Sequence, residues 1–135
     1  MVALGAVIDV AHGWVRLGTG ADSARFYRGE FTPGAGAAGA TQLTLTGGTP
    51  CGSSASGSHR GARPLRAGKL WGTGHGRFTT VGRFAAASVI GTHWLTWNTC
   101  AGTEIRVAAG EVRVTDLVRH RTFVLRAPHS YVAKP

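Results

Sequence analysis

The chain combines a length of 135 residues with 21 glycines and a formal net charge of +9. This length supports one domain, and no stretch approaches the roughly 20 consecutive apolar residues of a membrane-spanning helix. Only 16% of the residues are charged, where about 25% is usual, and glycine is far more frequent than the usual value of about 7%, so ordinary helical enzymes and coiled coils fit the composition poorly. The composition instead predicts short strands joined by tight turns.

The amino-terminal half predicts strands separated by glycine-rich connections. Apolar residues flank the Ala11-His12-Gly13 turn, as in a β-hairpin. Farther along, apolar and polar residues alternate with the period of a half-buried strand. The predicted elements are a hairpin over residues 3–17, a strand Ala24–Phe31, a loop Thr32–Ala40, a strand Thr41–Thr46 and a Gly-, Ser- and Arg-rich surface loop over 47–67.

The carboxyl-terminal half predicts strands that recur about every 8–12 residues and are closed by glycine or proline. Gly72–Gly76 is predicted to be a plain hairpin turn, because no helix follows it to hold an anion. The whole chain, residues 1–135, is therefore expected to be a single all-β domain, an antiparallel sandwich or roll of about ten short strands. The predicted strands are Lys69–Trp71, Arg77–Val81, Arg83–Ile90, Thr92–Trp97, Thr103–Val107, Glu111–Leu117, Arg121–Arg126 and Ser130–Ala133.

Cys51 and Cys100 are the only cysteines, and their separation fits neither a CxxC redox motif nor a zinc site. We expect a disulfide between them, the alternative being two unrelated buried thiols. Closing a loop of this length removes chain entropy worth about 4 kcal/mol from the unfolded state. The bridge would tether the 47–67 loop to the sheet and implies an oxidising, extracytoplasmic compartment.

Arginine carries most of the positive charge, with 13 Arg against 2 Lys. Guanidinium groups suit bidentate contact with carboxylates and phosphates, so acidic partners are expected. The arginines are spread along the chain except around residues 113–126. A solvated strand face is the simpler interpretation of that segment, and a polyanion or nucleic-acid site is the alternative.

The common enzyme signatures are missing from the sequence, including G-x-S-x-G, H-E-x-x-H and the Walker loop. The six histidines have no diagnostic spacing, and no metal or cofactor is predicted. A small hydrolase of glycosidic or ester bonds is nevertheless an alternative function, with Glu104 and His93 as its first candidate residues and Glu111 or Asp116 as the second carboxylate. The competing interpretation of Glu104 is an ion pair with Arg106 or Arg113 across neighbouring strands.

Trp94 and Trp97 lie three positions apart, so they face opposite sides of an ideal strand. We expect Trp94 and Trp14 to pack in the core. An exposed indole beside histidine and arginine side chains can stack on a sugar ring or contact a cation. The candidate ligand-binding residues are Trp71, Trp97, His93, Arg106 and Arg113.

Short motifs in both halves of the sequence follow one another in an order that resembles that of a known domain family. They are Gly5–Asp9, Gly13–Leu17, Phe26–Phe31, Leu43–Gly48, Gly91-Thr92, Trp94-Leu95-Thr96, Cys100–Thr103, Val112-Arg113-Val114 and Ser130-Tyr131. Their order resembles that of actinobacterial extracytoplasmic domains related to the FecR-type β-domains, over nearly the whole chain. The resemblance implies an all-β module of a larger secreted or surface protein, whose export signal lies outside this sequence and which has no established enzyme activity.

Together these observations predict a non-catalytic, secreted or cell-surface module for binding or assembly. The expected partner is a glycan, an acidic polymer or a protein at the cell surface, with nucleic acid less favoured. The sequence does not determine the oligomeric state.

Overall fold

The computed structural model describes residues 7–19, 22–36, 39–46 and 68–135. These residues form eleven strands and no α-helix, so the described part of the chain contains no candidate for a membrane-spanning helix. In chain order the strands are β1 (Ile8–Asp9), β2 (Trp14–Thr19), β3 (Asp22–Tyr27), β4 (Glu30–Ala35), β5 (Thr41–Leu45), β6 (Gly68–His75), β7 (Phe78–Val81), β8 (Ala85–Thr99), β9 (Gly102–Asp116), β10 (Arg121–Arg126) and β11 (Ser130–Ala133).

Strands β8 and β9 form a long antiparallel hairpin that organises the sheet. Each strand has 15 residues, enough to accept two partners in succession along one side. Thus β8 pairs with β7 near its start and with β6 near its end, while β9 pairs with β11 and then with β10. One half of the sheet continues from β6 to β3 and β2, and the other from β7 to β5, β4 and β1.

The sheet curls so that its two halves face each other across one core. The register of β8 against β9 shifts between Val89 and Gly91 and again between His93 and Trp94, and such bulges bend a strand. From the β3 side, the Phe26 ring meets Phe31 of β4 and Phe78 of β7, with ring centroids 6.1 and 5.6 Å apart. These contacts join the halves through packing as well as through the hairpin.

Trp94 is fully buried in this core, as the sequence predicts. Its ring meets Phe26 edge-on with centroids 5.8 Å apart. Its Nε1–H donates to Thr80 Oγ1 at 3.1 Å, and that hydroxyl is 2.7 Å from Thr96 Oγ1. The indole therefore keeps its polar atom satisfied while the ring fills apolar space.

The all-β prediction is confirmed, but its finer points need correction. The sheet is mixed rather than antiparallel, because β5 and β7 pair in parallel. Not all strands are short: Gly91 continues β8 and Gly110 continues β9 where a break was predicted, because the bulges absorb the irregular backbone inside the ladder. Four strands, β5, β7, β10 and β11, lie close to where the sequence pattern predicts them.

In the amino-terminal half, the predicted strand boundaries and strand partners differ from those in the structure. The hairpin over 3–17 is wrong, because β1 pairs with β4 and β2 pairs with β3. The single strand Ala24–Phe31 is divided by a turn at Arg28-Gly29, whose backbone is held by hydrogen bonds with Val10. Part of the predicted loop Thr32–Ala40 belongs to β4, where β5 supplies the backbone partners.

The predicted turn over Gly72–Gly76 is wrong for most of its length, since β6 runs through His75. Core packing leaves no room for a side chain at position 72, because a Cβ there would lie 2.7 Å from the Trp94 ring and 2.9 Å from the Phe26 ring. The 47–67 loop and Cys51 lie outside the described residues, so the disulfide to Cys100 stays a prediction.

Asp116, the last residue of β9, is the centre of a hydrogen-bond network. Its carboxylate is fully buried and accepts hydrogen bonds from Tyr131 Oη at 2.5 Å, from the backbone N–H groups of Val118 and Arg119 at 3.0 and 2.9 Å, and from the Arg119 guanidinium at 3.1 Å. Burial acting alone would raise the pKa of Asp116, but these hydrogen bonds outweigh it and hold the pKa at about 2. The network ties β9, the following turn and β11 together.

Replacing Tyr131 with Phe is expected to lower the free energy of unfolding by about 2 kcal/mol, because it removes a hydrogen bond to a buried charge while the ring keeps its packing on Phe123. The folded-state pKa of Asp116, about 2, lies below its ordinary value of 3.8, so the network stabilises the fold above that value and loses its contribution as the pH falls towards 2. Urea unfolding at neutral pH and at about pH 2 measures both effects. An equal loss at the two pH values would contradict the assignment.

Replacing Gly72 with Ala is expected to destabilise the fold by about 1–3 kcal/mol, because the added methyl group overpacks the rings of Trp94 and Phe26. The matched control is Gly34→Ala, since nothing lies within 4 Å of a Cβ built at Gly34. Urea unfolding should leave the control unchanged or slightly stabilised. Similar losses in the two variants would show that the glycine at position 72 is not a packing requirement.

Candidate functional site

A row of aromatic side chains crosses the outer face of β2, β3 and β6. The strand register places Trp14 opposite Tyr27 and Tyr27 opposite Trp71. The residues between them along the strands, such as Phe26, point into the core, so the row points outwards. Neighbouring strands are about 4.8 Å apart, so the row is about 10 Å long.

Tyr27, Trp71 and His93 are in mutual contact and form what we call the aromatic cluster. The Tyr27 and Trp71 rings are nearly parallel, at 10°, with centroids 6.4 Å apart. The centroids of the His93 and Trp71 rings are 4.9 Å apart, and His93 Nε2 is 2.5 Å from the Tyr27 hydroxyl oxygen. The structure therefore brings together two predicted ligand-binding residues, Trp71 and His93, and adds a tyrosine from a third strand.

Both titratable members of the aromatic cluster are held in their neutral forms. Burial lowers the pKa of His93 below its ordinary value of 6.5. Burial also raises the pKa of Tyr27, and this outweighs the opposing effect of the Arg28 charge. The hydrogen bond between the two side chains thus joins neutral groups at neutral pH. The positive charge of this face comes from its arginine and lysine side chains.

Two of these cations lie on tryptophan rings. The Arg25 guanidinium is 4.8 Å from the centre of the Trp14 ring, and the Lys69 ammonium is 5.2 Å from that of Trp97. Trp97 is therefore on the outer face while Trp94 is in the core, as their spacing predicts. The prediction that Trp14 packs in the core is wrong: the side chain is 60% exposed, because it points outwards from β2, the last strand in the pairing order of its half.

An open cleft of about 620 Å³ lies at the end of this row, and we call it the Trp14 cleft. The described residues that line it include no carboxylate. Among the described residues, no ion pair involves Arg25, Arg28 or the neighbouring Arg16. The lining residues are Ala11, His12, Gly13, Trp14, Arg25, Tyr27, Arg28 and Thr73.

The candidate carboxylates are not brought together. Glu104 pairs with Arg106 at 2.8 Å, along one strand rather than across two, and Glu111 pairs with Arg126 at 2.9 Å. Glu104 and Glu111 are seven positions apart on β9, roughly 20 Å in an extended strand, whereas paired carboxylates in glycosidases are about 5–9.5 Å apart. Within the described residues, no three His, Cys, Asp or Glu side chains are grouped so that they could hold a metal ion.

Arg113 lies apart from the aromatic cluster. It faces outwards opposite Ser88, five positions along β8 from His93, or roughly 15 Å. Two other arginines of the 113–126 segment, Arg119 and Arg126, are held in ion pairs. This segment therefore presents less free positive charge than its sequence suggests.

The sequence analysis missed six residues of this face. The alternation around Phe26 does indicate that Arg25 and Tyr27 point outwards. It gives no indication that β3 lies between β2 and β6, or that Arg28 is on a turn. The residues missed are Trp14, Arg16, Arg25, Tyr27, Arg28 and Lys69.

Fold and site together define a mixed β-sheet domain with an aromatic, cationic outer face. Comparisons with protein families, with curated proteins and with solved structures found no match for this chain. The function is therefore argued from the geometry of this face.

The His93 imidazole is expected to titrate below 6.5 in the folded protein, because protonation would place a charge in a half-buried, aromatic environment. The unfolded chain then takes up this proton at higher pH, so the contribution of His93 to stability falls as the pH drops below 6.5. NMR titration of the His93 ring protons, in the native protein and in urea, measures the two pKa values. A native pKa equal to or above the value in urea would contradict this environment.

Proposed function

We propose that this domain is a non-catalytic binding module of an extracytoplasmic protein and that its outer face binds an acidic cell-surface glycan. The observation that carries the proposal is the row Trp14, Tyr27 and Trp71, with the Arg25 guanidinium stacked at one end. This row combines flat apolar surfaces with positive charge that no described ion pair neutralises.

The aromatic row suits a polymer of sugar rings. Indole and phenol rings stack on the apolar C–H faces of pyranoses while leaving the hydroxyl groups hydrated. The spacing of the row, one aromatic residue for each strand of about 4.8 Å, is comparable to the length of one sugar unit. A glycan lying across the strands would therefore meet successive rings.

The charge of the face favours an acidic ligand. Arg16, Arg25 and Arg28 lie on or beside the row, and the described ion pairs leave them to solvent. Surface cations without carboxylate partners attract polyanions and raise association rates. The resemblance to FecR-type domains and the expected disulfide both favour a cell-surface glycan over a nucleic acid.

A binding role also agrees with the state of the candidate catalytic groups. Glu104 and Glu111 are each in an ion pair, and Asp116 is buried in a hydrogen-bond network. The His93 side chain is hydrogen-bonded to the Tyr27 hydroxyl. These arrangements support positioning and stability rather than proton transfer to a substrate.

Isothermal titration with polygalacturonate, hyaluronate and heparin, with dextran as the neutral control, tests the proposal. Binding to at least one acidic polymer is expected, and Trp71→Ala should lower its affinity about tenfold because a stacking surface is lost. Arg25→Ala should also weaken binding. The matched control is Arg113→Ala, which removes the same charge from an exposed position away from the face.

Two results would overturn the proposal. The first is an absence of binding to all three acidic polymers, and the second is an equal loss of affinity in Arg25→Ala and Arg113→Ala, which would indicate non-specific charge attraction. Single-stranded DNA is included as a fifth polymer. Tighter binding of DNA than of every acidic glycan, with the same dependence on Trp71, would assign the face to nucleic acid instead.

A further inference from the structure

The Trp14 cleft concentrates like charges at a cost to stability. Arg16 and Arg25 are directly opposite each other on β2 and β3, and like charges in that position repel. Arg25 and Arg28 line the cleft, Arg16 lies beside it, and none of the three arginines takes part in a described ion pair. Repulsion among these arginines destabilises the fold, and a bound anionic ligand would neutralise their positive charge.

Arg25 is prepared to bind an oxyanion. Its guanidinium lies over the Trp14 ring, 4.8 Å from the centroid, which restricts its position without using its hydrogen-bond donors. A stacked guanidinium keeps the N–H groups along its edges free, and these match two oxygens of a carboxylate, sulfate or phosphate. The exposed indole beside it can contact a sugar ring that carries such a group.

Arg28 is held at the cleft in a strained conformation. Its φ of 61° lies in the left-handed region, which is unfavourable for a residue other than glycine. The turn is fixed nevertheless: Arg28 N–H donates to the Val10 carbonyl at 2.8 Å, Val10 N–H donates to the Gly29 carbonyl at 2.8 Å, and a Cβ at Gly29 would lie 1.8 Å from the Lys69 carbonyl oxygen. Strain that the surroundings maintain is characteristic of functional positions.

We infer that the Trp14 cleft is an anion subsite, which binds one oxyanion group of a sugar unit between Arg25 and Arg28 while the ring of that sugar contacts Trp14. The inference rests on the proposed function for the polymer to which the sugar belongs. The oxyanion is the carboxylate of a uronic acid or the phosphate of a sugar ester, two sources with the same chemistry for the cleft. The cleft thereby selects acidic over neutral glycans, and the aromatic cluster extends the contact to the next units.

The test is an NMR titration of the whole domain with galacturonate, galactose 6-phosphate and galactose, followed through the Trp14 indole N–H signal. Saturable binding of one or both acidic sugars is expected, at least fivefold tighter than binding of galactose. Galacturonate and galactose 6-phosphate distinguish the two sources of the anion. Equal affinities for all three sugars, or no binding of either acidic sugar, would overturn the subsite.

The decisive variant is Arg28→Gly. Glycine adopts a positive φ without strain, so this change should raise the midpoint of urea unfolding while it weakens binding of the acidic sugar at least fivefold. The matched control is His120→Gly, because His120 has a φ of 57° in a turn outside the cleft. The control should gain stability with unchanged sugar binding. Unchanged sugar binding in Arg28→Gly would refute the subsite.

Trp71→Ala separates this inference from the proposed function. Trp71 does not line the cleft, so the variant should lose affinity for the polymer and keep its affinity for the single acidic sugar. If the polymer binds but no acidic sugar does, the proposed function stands and the subsite fails. If an acidic sugar binds at the cleft and no polymer does, the subsite stands and the polymer proposal fails.

Discussion

The pairing of β8 with β9 is the interaction on which the rest of the structure depends. Both strands are long enough to serve both halves of the sheet, and the two bulges bend them where the halves diverge. The curl that results brings Phe26, Phe31 and Phe78 together from strands that do not pair with one another. Without the long hairpin there would be two small sheets, each with an apolar face and no layer to cover it.

The aromatic, cationic outer face is a consequence of the same geometry. Because side chains alternate along a strand, each strand that contributes a ring to the core also presents residues to solvent. Thus Phe26 points inwards between Arg25 and Tyr27, and Trp94 points inwards next to His93. The core fixes the backbone, and the backbone positions the outward rings. A preformed surface of this kind loses little conformational entropy when a ligand binds.

The charged side chains near β10 and β11 are arranged differently from those around the Trp14 cleft. Near β10 and β11, Asp116, Arg119 and Tyr131 satisfy one another, and Glu111 pairs with Arg126. Around the Trp14 cleft, arginines lie close together and one occupies a strained turn. The first arrangement stabilises the fold, whereas the second costs stability and is intelligible as preparation for an anionic partner.

The resemblance to FecR-type domains and the bridge between Cys51 and Cys100 remain expectations from the sequence. They agree with the proposed location outside the cytoplasm, where such a bridge persists. The proposal that the Trp14 cleft binds an anion, by contrast, is argued from contacts alone, and only the sugar that carries the anion rests on the proposed function.

The sequence by itself determined the all-β class, the buried role of Trp94 and the opposite facing of Trp97, because alternation and glycine spacing are local properties of the chain. It did not determine which strands are neighbours. The aromatic cluster joins Tyr27, Trp71 and His93 from three strands, and strand pairing over such distances is decided by how the whole sheet closes around its core. For the same reason only the tertiary structure exposed Trp14 and placed Arg113 away from the face: whether an outward residue meets a ligand surface depends on its neighbours across the sheet, which local pattern does not encode.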